Sequence, residues 1–204
     1  VNLSGIYGVG AAKMHSILKQ GGVDKDLNEV KNIVYAYRRA NPELVQAWND
    51  AGTMLEAVRA GQHYTMGNGH IITSVPKMGM LKPNSMLLGL PNLRKLKTDT
   101  GESWAYDKLM GRTIIPEYIH PAKTFQRCIQ SLARDIIAEH MIQVSKRYPV
   151  VMTVHDELVM LCKDSEVNDC KVYVEKCMTT APEWCSDLPL GCEVGIGDNY
   201  MDAK

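Results

Sequence analysis

Two carboxylates side by side between two strand-type apolar runs constrain this chain more than any other feature. Pro149 is followed by Val150 to Val154, then His155, Asp156 and Glu157, then Leu158 to Leu161. Closing apolar surroundings over a charge is costly, so the acids have to sit where the chain reverses, and the pattern predicts a β-hairpin with charge at its tip. Exposed carboxylates offer hard oxygen ligands, which suit Mg²⁺ better than zinc or copper. A solvated tip without a ligand is the other reading of the same pattern. Zinc held by His155 is disfavoured, because no second histidine stands at the spacing of H-E-x-x-H.

The surrounding pattern is helical before the hairpin and mixed after it. Ala11 to Leu18 has helix-forming composition and stops at Gly21 and Gly22. Leu27, Val30, Val34 and Tyr37 recur at helical spacing, which predicts a helix that starts near Asp24 or Asp26 and ends before Asn41 and Pro42. A third helix is expected over 43–60, with Leu44, Ala47, Trp48, Leu55 and Val58 on its apolar face and Gly61 as its stop. From 62 to 118 the pattern weakens into short β-like pieces, with Gly67-Asn68-Gly69 as the clearest turn. Pro121 can open a long helix to about 147, whose apolar face uses Phe125, Cys128, Ile129, Leu132, Ile136, Ile137, His140 and Val144. Gln126, Gln130 and Arg134 line its polar side at i, i+4 and i+8. After the hairpin, Asp164 or Ser165 is expected to cap a helix through Val167, Cys170, Val174 and Cys177, and Leu190, Cys192, Val194 and Ile196 alternate like a final strand. Helices, hairpin, helix and strand in this order favour an α+β fold over a βαβ array.

With 204 residues the chain can bury a core without disulfides. Its six cysteines form no C-x-x-C pair and read as reduced thiols of an intracellular protein. Lys plus Arg equals Asp plus Glu at 23 each, so any contact with nucleic acid must come from local clusters. No run approaches the roughly 20 apolar residues of a membrane span, and the chain reads as soluble and cytoplasmic. Gly5, Gly8 and Gly10 ahead of Lys13 fit neither the Walker nor the dinucleotide spacing.

The string Val154-His155-Asp156-Glu157-Leu158 resembles the third palm motif of family A DNA polymerases, and other segments match in the same order. Gly5-Ile6-Tyr7-Gly8-Val9-Gly10 resembles the end of the fingers helix that closes on the incoming nucleotide. Tyr37-Arg38, Asn41-Pro42 and Trp48 resemble the fingers segment that follows. Leu90 to Arg94 is similar to the loop and strand beside the primer-template duplex, and Gln130 to Ile137 to the long palm helix. Leu188-Pro189-Leu190 and Tyr200 to Lys204 resemble the family ending. The resemblance implies a fingers remainder over 1–118 and a palm segment over 119–204. The palm segment would comprise the long helix, the acidic hairpin, a helix and a final strand.

The same resemblance implies template-directed DNA synthesis, with primer-template DNA and dNTP as partners and two Mg²⁺ ions as cofactors. Asp156 would be a metal ligand, Glu157 its supporting carboxylate, and His155 a contact to the primer terminus. Tyr7, Gly8 and Leu3 match nucleotide-binding positions, and Leu3 departs from the family's usual Phe or Tyr against the sugar. Gln130 matches a minor-groove reader, while Arg94, Lys95 and Arg134 are plausible phosphate contacts. The first palm motif, with its own aspartate, has no match in this chain. The chain is therefore expected to be part of a longer, phage-type polymerase acting in a bacterial or phage-infected cell, and inactive alone. The rival from another class is a non-catalytic DNA-binding module, or a split-polymerase module that needs a separate N-terminal chain. A small metal-dependent phosphohydrolase is a third reading, but Asp107, Glu117 and Glu139 stand at no spacing that recommends it.

Overall fold

A computed structural model describes residues 8–67, 71–99 and 101–203. The chain forms two compact units, Val1–Ile129 and Gln130–Lys204. Helices and small antiparallel sheets make the fold α+β, as the order of sequence patterns predicts.

In the first unit, α1 (Ala11–Gln20) buries Met14 against Val30 and Val34 of α2 (Leu27–Ala40). The start of α2 is set by a capping box. The Asp26 carboxylate accepts from the backbone of Asn28 at 2.6 Å and Glu29 at 3.0 Å, and Glu29 reaches back to the Asp26 N–H at 3.2 Å. Pro42 opens α3 (Pro42–Ala60), and Gly61 ends it in the left-handed region at φ 77°, a conformation open to glycine at no steric cost. The buried stripe of α3 holds Trp48, Ala51, Met54, Leu55, Ala57 and Val58. Leu44 and Ala47, expected on that face, are only half-buried near the helix start, and Ala51, Met54 and Ala57 take their place in the core.

Among the described residues, the segment with weak sequence pattern holds seven strands. β1 (Thr65–Met66), β2 (Ile72–Val75), β3 (Gly79–Leu81) and β4 (Leu87–Gly89) form a four-stranded antiparallel sheet in chain order. Met66 pairs with Ile72 on either side of the segment expected to turn at Gly67-Asn68-Gly69, and residues 68–70 lie outside the described residues. β5 (Arg94–Thr98), β6 (Gly101–Met110) and β7 (Thr113–Ile119) form a second antiparallel meander. Pro116 is tolerated because β7 is an edge strand.

α4 (Pro121–Ser145) continues across the division between the units. Cys128, Leu132, Ile136, His140 and Val144 repeat every four residues along its buried side. Ile129 is 50% exposed, and Phe125 and Ile137 are half-buried, so the core face is narrower than the sequence suggested. In the second unit, Val144 and Tyr148 pack on Cys170 and Val174 of α5 (Val167–Thr179). The hairpin of β8 (Val150–Val154) and β9 (Glu157–Met160) lays Val150, Leu158 and Met160 on that cluster.

Two local expectations need correction. A turn of 3-10 helix over Asp164–Glu166 precedes α5, and the cap position falls on Glu166 with no side-chain cap bond, so neither Asp164 nor Ser165 caps the helix. Among the described residues, the expected final strand is absent. Leu190, Cys192 and Val194 alternate half-buried with exposed neighbours, but β8 and β9 pair only with each other, so this stretch gains no ladder. Alternation reports one buried face, whereas a strand also requires a hydrogen-bonded neighbour.

All six cysteines are free. Burial pushes the Cys128 thiol up to about 12 and that of Cys170 up to about 11, while Cys162 is exposed. Alkylation at about pH 8 should therefore label Cys162 in the native chain and reach Cys128 only on unfolding, since the thiolate is the nucleophile. Peptide mass mapping reads this out. Leu55 is fully buried, so Leu55→Ala should lower stability by about 2–5 kcal/mol, measured by denaturant unfolding.

Candidate active site

The acidic tip is built by the hairpin register. Val154 faces Glu157, which leaves a two-residue loop of His155 and Asp156. His155 has φ 53° and Asp156 is not in the positive region, the pattern of turns whose first central position is ordinarily glycine. A bulge between Val150 and Met152 shifts the register of the ascending strand. His155 and Asp156 are exposed at the loop, and Glu157 is half-buried as the first residue of β9.

Glu157 has a partner that sequence reasoning did not assign. The Tyr200 hydroxyl donates to its Oε2 at 2.7 Å, across 43 positions of sequence. That bond fixes one carboxylate of the pair and leaves Asp156 as the exposed one. No local spacing encodes this contact, although Tyr200 lies in the stretch that resembles the family ending. The donors are hard oxygens and fit an oxygen-loving divalent ion in kind. Among the described residues, however, no group of three His, Cys, Asp or Glu side chains comes together to hold a metal, so the tip supplies only part of a coordination shell.

The hairpin is braced from below. The Tyr148 and Tyr173 rings meet edge to face with centroids 5.9 Å apart, and the Arg147 guanidinium lies 5.3 and 5.4 Å from the two ring centroids. The Tyr173 hydroxyl donates to the Gln143 carbonyl at 2.8 Å, tying α5 to α4. His140 is buried, and its Nε2 lies 3.0 Å from the carbonyl of Thr180 at the end of α5. Donation to that carbonyl fits the Nε2–H tautomer. Trp184 donates through Nε1 to Glu139 at 3.0 Å, a third tie to the long helix.

Gln130 and Arg134 are both exposed on α4, one turn apart. No ion pair holds Arg134 among the described residues.

Residues 122–202 match DNA polymerase family A. The match covers less than half of the chain and shows what this segment is similar to. The segment carries Gln130, Arg134, His155, Asp156, Glu157 and the Tyr200 that holds Glu157. A curated relative is the thermostable DNA polymerase I of Thermus filiformis, 29% identical over 85 residues. The alignment covers 39% of this chain and 10% of that polymerase, so the chain matches about a tenth of the relative's length. No solved structure matches the chain.

The remaining candidate residues lie outside the polymerase family segment. Leu3 and Tyr7 fall outside the described residues. Gly8 has φ 67°, and a Cβ there would come 2.5 Å from the Cβ of Ala122, so only glycine permits this close approach; Gly10 has nothing within 4 Å of its Cβ direction. Arg94 is already engaged in the first unit. Its Nη1 meets Asp107 Oδ1 at 2.7 Å and the Asn92 carbonyl at 2.8 Å. Hydrogen bonds from Asn92 and then Arg94 hold the Asp107 carboxyl below its ordinary range. Lys95 is likewise paired with Glu56 at 2.6 Å and stands 4.8 Å from the Trp104 ring centroid.

The turn geometry has a measurable consequence in the polymerase segment. His155→Val should lower stability by about 1–2 kcal/mol, because a β-branched residue is strained at positive φ. His155→Gly should be close to neutral, and denaturant unfolding of the two variants side by side checks the difference.

Proposed function

We propose that this chain contributes the second carboxylate cluster of a DNA polymerase active site, and that template-directed nucleotidyl transfer from dNTP to a primer 3′-OH is the reaction it serves. The observation that carries the reading is the placement of Asp156 in a two-residue turn, with Glu157 beside it at the start of β9 and anchored by Tyr200, inside the segment that matches family A. Asp156 would be a ligand of Mg²⁺ and Glu157 a supporting carboxylate. Two such ions, when bound, supply the charge that favours ionisation of the primer hydroxyl and offsets charge developing on the leaving pyrophosphate.

The other side chains position DNA and nucleotide. His155, exposed beside Asp156, would touch the primer terminus. Gln130 would donate to minor-groove acceptors, which are alike on A·T and G·C pairs, and so report pair shape without reading sequence. Arg134 would bind a backbone phosphate, and Arg94 would do so only by sharing the guanidinium that Asp107 now holds. Tyr7, Gly8 and Leu3 would contact the nascent pair. In this reading 1–118 is the end of the fingers and 119–204 the second half of the palm, of a phage-type enzyme acting in the cytoplasm.

Because two adjacent carboxylates supply only part of a two-ion site, the 204 residues alone are proposed to be inactive. The remaining ligands would come from a longer chain or from a separate one. A split-polymerase module is favoured by one observation: Val151 and Met152 of β8, with Leu161, leave apolar surface exposed toward the open end of the hairpin, away from the acidic tip.

Primer extension with Mg²⁺ and all four nucleotides tests the reading. The comparison is between this chain, a longer chain that includes a first palm motif, and that longer chain with Asp156→Ala. Only the unsubstituted longer chain should extend the primer, and Asp156→Ala should slow it by on the order of a thousandfold, the scale of a positioned electrostatic group. Full activity of the Asp156→Ala chain would make the hairpin tip a structural turn.

A further inference from the structure

The basic side chains of the first unit differ in what they face. Arg94 is held by Asp107, Lys95 by Glu56, and Lys123 by Glu117 at 2.9 Å. Arg38 and Arg39 form no ion pair among the described residues. They lie near the C-terminal end of α2, on the side of a cleft of about 590 Å³ between α2 and α3. Tyr35 stands one turn earlier on the same wall and is 58% exposed. The opposite wall is formed by Pro42, Val45 and Asn49, spaced along one face of α3.

Three properties of the cleft converge on one ligand chemistry. Its lining carries two positive charges and no negative one. Of the two acids on α3 next to lining residues, Glu43 adjoins Pro42 without lining the cleft, and Asp50 is engaged by the Gln46 amide at 3.0 Å and by the Tyr64 hydroxyl at 3.4 Å. The Arg38 guanidinium is steadied 5.8 Å from the Trp48 ring centroid, which restrains it without neutralising it. An exposed phenol ring beside two unpaired guanidinium groups offers a π-face for a base and forked donors for phosphates. The volume is that of a small-ligand site, enough for one or two nucleotides.

We propose that the α2–α3 cleft binds single-stranded DNA, with a base stacked on Tyr35 and the flanking phosphates on Arg38 and Arg39. The choice of nucleic acid among anions rests on the polymerase reading above; the charge and the stacking surface do not. The cleft uses none of the residues of the hairpin tip, so it would grip a strand independently of divalent metal.

The test is fluorescence anisotropy of a labelled oligothymidylate with the 204-residue chain, in EDTA and across a salt series. The unsubstituted chain should bind with a salt-dependent affinity. Arg38→Gln with Arg39→Gln should weaken binding about tenfold or more and lower the slope of log affinity against log salt by about 1.4, that is 0.7 for each lost phosphate contact. Tyr35→Ala should cost about fivefold to a hundredfold, and Tyr35→Phe should retain binding because the ring is kept. Far-UV circular dichroism verifies that each variant is folded. If the double arginine variant fails to fold, the contrast between Tyr35→Ala and Tyr35→Phe decides alone. The proposal is overturned if the unsubstituted chain does not bind, if the folded variants bind as it does, or if polyglutamate displaces the strand as well as unlabelled oligothymidylate. EDTA keeps this outcome separate from the synthesis assay: binding by this chain with no primer extension by the longer chain would retain the cleft and sink the polymerase role, and primer extension by the longer chain without cleft binding would do the reverse.

Discussion

The packing of Val144 and Tyr148 on Cys170 and Val174 is the interaction on which the acidic tip depends. An isolated two-stranded hairpin is marginal in water, and β8 and β9 have no third strand among the described residues. What holds them is one apolar face, Val150, Leu158 and Met160, laid on the helix cluster. Burial of that face sets the register, and a one-residue slip would send it to solvent. The register in turn leaves only His155 and Asp156 in the loop, so core packing below the hairpin determines which carboxylate is presented above it. The tyrosine pair, the Tyr173 bond to α4 and the His140 link to Thr180 stiffen the same support.

Electrostatics in this chain is local. A net charge of zero conceals two populations of cations. One is consumed by carboxylates: Glu117 serves Lys123 and Lys108, and Glu56 serves Lys95 and Arg59. Such half-exposed pairs contribute little to stability each, yet they withdraw those cations from external anions. The other population includes Arg38, Arg39 and Arg134, which the described residues leave without a carboxylate partner.

Much of the helical architecture was legible because capping and periodicity are local. Asp26 with Glu29, Pro42, Gly61 and the four-residue repeat from Cys128 to Val144 each act within a turn or two of chain. The meanders between 65 and 119 were not legible, since most of their strands are short, Thr113–Ile119 contains a proline that only an edge position excuses, and the longer Gly101–Met110 buries its residues without steady alternation. Leu190 to Ile196 failed in the opposite sense: the alternation was clear, and no neighbouring strand accepted it.

From the sequence alone came the hairpin, the pair of acids at its turn and the order of motifs that resembles a polymerase family, because adjacent charges between apolar strands leave the chain few places to bend. Tertiary structure alone decided that Glu157 is the carboxylate tied to Tyr200, that Arg94 is already bound by Asp107 and that Tyr35, Arg38 and Arg39 share a cleft with α3. The first and second of these contacts join residues 43 and 13 positions apart. Side chains so separated meet only when the core between them has packed, and no local periodicity encodes that meeting.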